Sequence, residues 1–86
     1  MDIITLIGNL ESNLTREIVN TTDGNTISYT ANTPKTVTIN TSTTHTNVNR
    51  LCLISNSTAT KLYITSYNYK KVSSVNISTI TSITIT

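Results

Sequence analysis

Side-chain branching constrains this chain more than anything else in it. Of its 86 residues, 20 are Thr, 12 Ile and 5 Val, against 6 Leu, and neither Phe nor Trp occurs. Side chains branched at Cβ lose rotamer freedom against the preceding turn of a helix, whereas they pack well on a pleated sheet. The composition therefore predicts an all-β domain. Length permits one core and not two, so residues 1 to 86 are read as a single β domain.

The pattern along the chain supports strands. Asp23-Gly24 sits between two β-prone runs in REIVNTTDGNTISYTAN and predicts a hairpin. With a two-residue loop, Ile18 falls opposite Tyr29 and Asn20 opposite Ile27. Pro34 predicts a corner, and KTVTIN after it alternates, with Val37 and Ile39 inward and Thr36 and Thr38 outward. VNRLCLIS is the most apolar run and the candidate central strand. KLYITSY places Leu62 and Ile64 on one face and Tyr63, Thr65 and Tyr67 on the other. At the amino end, Ile3, Leu6, Ile7 and Leu10 fit helical spacing, but β-branching at Ile3, Ile4 and Thr5 and the presence of Gly8 favour a strand. The sum is a small antiparallel β-sandwich or barrel of six to eight short strands, with turns about every 8 to 12 residues.

The last eleven residues, NISTITSITIT, pose a separate problem. Val75, Ile77, Ile83 and Ile85 share strand parity, and Ile80 does not, so a bulge near Thr79 or apolar contacts on both faces is expected. Either arrangement leaves an Ile-rich edge on a lone subunit, without the Lys, Pro or inward charge that normally blunts such edges. Residues 72 to 86 are accordingly read as an assembly strand, with Val75, Ile77, Ile80, Ile83 and Ile85 at the interface.

Chemistry is sparse. The 4 carboxylates are scattered, and one His and one Cys give no pairing of nucleophile and base. The 2 glycines, Gly8 and Gly24, form no phosphate loop. His45 has no metal-ligating companion close in sequence, and Cys52, alone in RLCLI, reads as a buried hydrophobe. No catalytic residue, metal, cofactor or small-molecule substrate is expected, and the chain is read as no enzyme. A net charge of +2 is too weak to track a phosphate backbone. The first residues carry acids and no Lys or Arg before a short apolar stretch, and no run approaches 18 apolar residues, so neither a secretory signal nor a membrane span is expected. Five Asn-X-Ser/Thr sequons, beginning at Asn13, Asn20, Asn40, Asn56 and Asn76, are about what 11 Asn scattered among so many Ser and Thr would give.

One stretch resembles a known family. Residues 5 to 32, TLIGNLESNLTREIVNTTDGNTISYTAN, are similar to the opening of bacterial-type single-stranded DNA-binding proteins, whose first strand carries a hydrophobic-Gly-Asn-Leu segment. Arg16 and Gly24 stand where that family has an Arg and then a turn Gly before its next strand. The resemblance implies an OB-fold that stacks bases on aromatic side chains beside cations. After residue 32 the family's Trp and Phe have no counterpart, and the residues available for such a role are Lys61, Tyr63, Tyr67, Tyr69, Lys70 and Lys71. This is the alternative reading. A carbohydrate-binding β module is a third, from the Thr-rich run TVTINTSTTHT, although that run has no sustained repeat.

The leading expectation is a structural one. A domain this small buries little surface, and with no Phe, Trp, disulfide or metal cluster, oligomerisation is the remaining source of stability. Low charge, Thr and Asn surfaces and β strands resemble, in composition, the small capsid-decoration, collar or tail subunits of bacterial viruses. The expected partners are copies of the chain itself and a larger shell or tail protein, in a virion assembled in the host cytoplasm.

Overall fold

A computed structural model of the chain describes residues 1 to 17, 25 to 67 and 72 to 86. It contains one helix, α1 (Ile3–Asn13), and the strands β1 (Thr15–Glu17), β2 (Thr26–Ile39), β3 (Thr43–Ser55), β4 (Thr60–Ser66), β5 (Val72–Asn76) and β6 (Ile83–Ile85). All pairings among them are antiparallel. The sheet runs β1-β2-β3-β4-β5, and β6 also pairs with β2. The all-β expectation holds, although two of the six strands are long, at 14 and 13 residues.

The length of β2 follows from how its ends are used. One edge pairs with β3 throughout, while the other is shared: Ser28 to Thr30 face β1, and Val37 to Ile39 face β6. Between those two segments lies Pro34, which has no N–H to give a ladder. The β2–β3 register shifts there, between Thr30 and Lys35 and again between Lys35 and Val37. The predicted corner is thus a bend within one strand. The polar run after Asn40 turns at Thr41 and Ser42 and then forms the first half of β3 from Thr43.

Strand alternation sorts the side chains into two faces. Cross-strand rows Ile27–Leu53–Leu62–Val75 and Tyr29–Leu51–Ile64 point inward. Tyr29, Val37, Leu51 and Leu62 have no exposed surface, and Leu53, Ile39 and Ile64 have at most 4%. The candidate central strand, Val48 to Ser55, is central, with neighbours on both sides.

Two expectations are corrected. Residues 3 to 10 are helical, and the apolar spacing that fitted a helix is the spacing realised: Leu6 and Leu10 are fully buried on one face. The start of the helix is fixed by Asp2, whose Oδ1 accepts from the Thr5 backbone N–H at 2.9 Å while Oδ2 accepts from the Thr5 hydroxyl at 2.8 Å. Those bonds, the backbone one foremost, hold the Asp2 carboxyl below its usual pKa. Gly8 still costs about 0.5 to 1 kcal/mol relative to Ala in a helix interior, and since a Cβ there would meet nothing within 4 Å no packing requires it; the helix forms in spite of it. This also removes the strand on which the likeness to single-stranded DNA-binding proteins rested, since Gly8, Asn9 and Leu10 lie in α1.

The hairpin is antiparallel as expected, but its register differs by two residues: Arg16, not Ile18, lies opposite Tyr29. A shift of two keeps every side chain on its face, so the apolar pattern alone does not choose between the two registers. The Asp23-Gly24 turn itself lies outside the described residues.

Candidate assembly edge and open sheet face

The carboxyl-terminal residues divide into an edge strand and a docked tail. After β5, a single 3₁₀ turn at Ile77–Thr79 breaks the strand, in place of the bulge near Thr79 that was one of the two arrangements expected from the parity of the isoleucines. Asn76 caps it, its side chain accepting from the Ser78 N–H at 3.1 Å. The turn lets Ile80 point into the core with no exposed surface, and Ile85 on β6 is 9% exposed. Val75, Ile77 and Ile83 are half-buried against the same cluster. The row expected to face outward from a lone subunit therefore packs within the chain's own core. β6 completes the free half of β2, and Thr36 and Thr86 exchange both of their backbone hydrogen bonds at 3.0 Å.

One side chain fastens this tail. Asn40 stands at φ 56°, the left-handed region that Asn tolerates better than most residues. Its Oδ1 accepts from the Thr81 N–H at 2.6 Å, the Thr81 hydroxyl at 2.9 Å and the Ser82 N–H at 3.2 Å. Its Nδ2 donates to the Thr79 carbonyl at 2.8 Å, and its backbone N–H donates to Ser82. The chain's amino group adds hydrogen bonds to the Ile77 and Ile80 carbonyls from the other side. Sequence reasoning passed over Asn40, noting it only as a sequon; nothing local marks an Asn that binds a segment some 40 residues away.

Two outer edges remain open among the described residues: that of the three-residue β6, which pairs only with β2, and the longer one of β5. Among the described residues β5 pairs only with β4. The strand reads VSSVN, without a charge, and Val72 is 57% exposed. The opposite end of the sheet differs: β1 carries Arg16 and Glu17, and these are engaged, Arg16 with Glu11 at 4.0 Å and Glu17 with Arg50 at 3.3 Å. Such exposed pairs add little stability, but charges on an edge deter strand pairing. Among the described residues β5 has no such guard. At its end lies a shallow groove of about 430 Å³, with Met1, Ile3, Ala59 and Ile77 among its lining residues, and Ile4 nearby in the chain is 80% exposed.

The sheet face opposite α1 holds the residues of the nucleic-acid alternative that are described. Its rows are Thr26–Ile54–Lys61–Asn76, Ser28–Cys52–Tyr63–Ser74 and Thr30–Arg50–Thr65–Val72. Lys61 and Tyr63 are neighbours on this face, both half-buried. Arg50, the other cation there, is held by Glu17. Tyr67, just past β4 and 42% exposed, uses its hydroxyl to donate to the Ala31 carbonyl at 2.9 Å, a contact that anchors the end of β4 against β2. Tyr69, Lys70 and Lys71 lie outside the described residues. Cys52 is half-buried with its Sγ 3.1 Å from the Ser28 hydroxyl, and His45 is half-buried on β3. Among the described residues no three His, Cys, Asp or Glu side chains gather to hold a metal ion, and no helix is long and apolar enough to cross a membrane.

Compared with protein-family models, curated proteins and solved structures, the chain matches none.

Proposed function

We propose that the chain is a non-enzymatic structural subunit that builds a larger protein assembly by strand addition at β5. The observation that carries this reading is that β5 offers five residues of neutral, unpaired edge with Val72 exposed, whereas β1 is charged and β6, though neutral, is three residues long. A row of unpaired backbone N–H and C=O groups is a template for another strand, and addition there gains main-chain hydrogen bonds without rearranging the subunit. Many copies, each held by a modest contact, sum to a stable particle. Within this reading the composition favours a virion part, a small bacteriophage capsid-decoration, collar or tail protein, whose partners are copies of itself and a larger shell or tail protein. The single-stranded DNA-binding alternative has lost its supporting strand to α1, and one Lys beside one Tyr is a poor substitute for a basic groove lined with aromatic platforms.

The test is Val72→Lys, which places a charge on the edge at an exposed position that contributes no core contact. Light scattering across a dilution series should show the parent chain as an oligomer and the variant shifted toward monomer, with the circular dichroism of a folded β chain and a melting temperature that no longer rises with protein concentration. Equal particle masses for the two proteins at every concentration would overturn the reading.

A further inference from the structure

We infer that the strand added to β5 is β5 of a second copy, running antiparallel about a two-fold axis at Ser74, which closes this edge and makes a two-fold dimer the unit from which the larger assembly is built. The inference rests on the edge reading above and names its partner and register.

Geometry narrows the choices. Directly opposed residues in an antiparallel pair project to the same face, so in a two-fold pair the axis passes through a residue and its own mate, never between two consecutive residues. An axis at Ser74 is the one that uses all of Val72–Asn76: Val72 meets the partner's Asn76, Ser73 its Val75, and Ser74 its Ser74. An axis at Ser73 or Val75 leaves part of the strand unpaired. No charged side chain occurs in β5, so no like charges meet across the axis, a condition that self-pairing imposes twice over because every residue is present on both strands. Small Ser side chains at the centre allow close approach. On the open face, Val72 gains Asn76 of the second copy as a neighbour for its exposed methyl groups. On the inner face, half-buried Val75 continues its row onto Ser73. Both sheets keep the same face toward their cores, so the two six-stranded sheets join into one without flipping.

Cysteine cross-linking tests the register. Opposed Cα atoms in an antiparallel pair are about 4.5 to 5.5 Å apart, inside the range a disulfide spans. Val72 and its own mate are offset by four residues, about 14 Å along the strands, far outside that range. Ser74→Cys, Val72→Cys and Asn76→Cys are each made after replacing Cys52, in both Cys52→Ser and Cys52→Ala backgrounds, so that a folding defect in one leaves the pattern readable in the other. After mild oxidation, a non-reducing gel should show Ser74→Cys moved from 9.4 kDa to twice that mass. Val72→Cys and Asn76→Cys should each stay monomeric alone and cross-link when mixed. If Ser74→Cys fails to cross-link while Val72→Lys still dissolves the oligomer, this partner or register is overturned and the edge reading survives, with a foreign strand as the occupant. If cross-linking fails and Val72→Lys changes nothing, both are overturned.

Discussion

Asparagine does in this chain what glycine does elsewhere. With 2 glycines in 86 residues, the turns are closed by Asn side chains: Asn56 accepts from the N–H groups of Thr58 and Ala59 at 2.8 and 2.9 Å, Asn76 caps the 3₁₀ turn, and Asn40 binds the tail. Among the described residues, two of the three non-glycine residues at positive φ are Asn40 and Asn47. The third, Thr41 at 58°, is the strained member, since a β-branched residue fits that region poorly. Tyr29 is a residue-scale device of another kind. It is fully buried, and its hydroxyl donates to Glu11 on α1 at 3.1 Å. Burial first, and then the Glu11 carboxylate, push its pKa above the usual 10.0. A raised folded-state pKa favours the protonated form, so this contribution is complete below about pH 10 and is lost as pH climbs through the folded value. Tyr29→Phe should cost about 1 kcal/mol at neutral pH. In chemical denaturation from pH 8 to 12 the gap between the two proteins should then shrink; a gap that stays constant through pH 12 would contradict the assignment.

At the scale of elements, the strands were legible and the tail was half legible. Alternation in KTVTIN placed Val37 and Ile39 inward, and in KLYITSY it put Leu62 and Ile64 on one face; all four are buried. Parity marked Ile80 as out of step but left a bulge near Thr79 and contacts on both faces as alternatives; the 3₁₀ turn at Ile77–Thr79 is what turns Ile80 into the core. The amino-terminal helix was misjudged because β-branching is a weak term: Asp2 as a cap and two fully buried leucines outweigh the propensities of Ile3, Ile4 and Thr5. The docking of β6 was not readable, because which edge an Ile-rich strand joins depends on the half of β2 left vacant by the short β1. The element-scale prediction concerns this docking. Asn40→Ala should destabilise the fold by about 1 to 3 kcal/mol, whereas Asn40→Asp, which keeps the acceptor and loses one donor, should lose less. Equal losses in the two variants would show that the acceptor bonds to Thr81 and Ser82 do not hold the tail.

For the whole molecule, size was the basis for expecting an incomplete fold, and here the outcome is instructive. The accessible surface is 5285 Å², close to the roughly 5000 Å² of a folded monomer of this mass. The radius of gyration, 12.0 Å, is that of a free-standing domain of this length, about 12 Å. The tail supplies the closure that the composition seemed to lack, so the core is completed from within. Under the proposed function, assembly is then a property of an edge added to a subunit whose core is closed by its own tail. The two halves of the carboxyl-terminal region should accordingly respond differently to neighbours, and amide hydrogen exchange followed across a wide range of protein concentration separates them. The amides of β6 should be protected equally at all concentrations, while those of β5 gain protection as concentration rises. Fast exchange in β6 at high dilution that slows on association would contradict this, and would mean that the tail, not the β5 edge, joins one copy to the next.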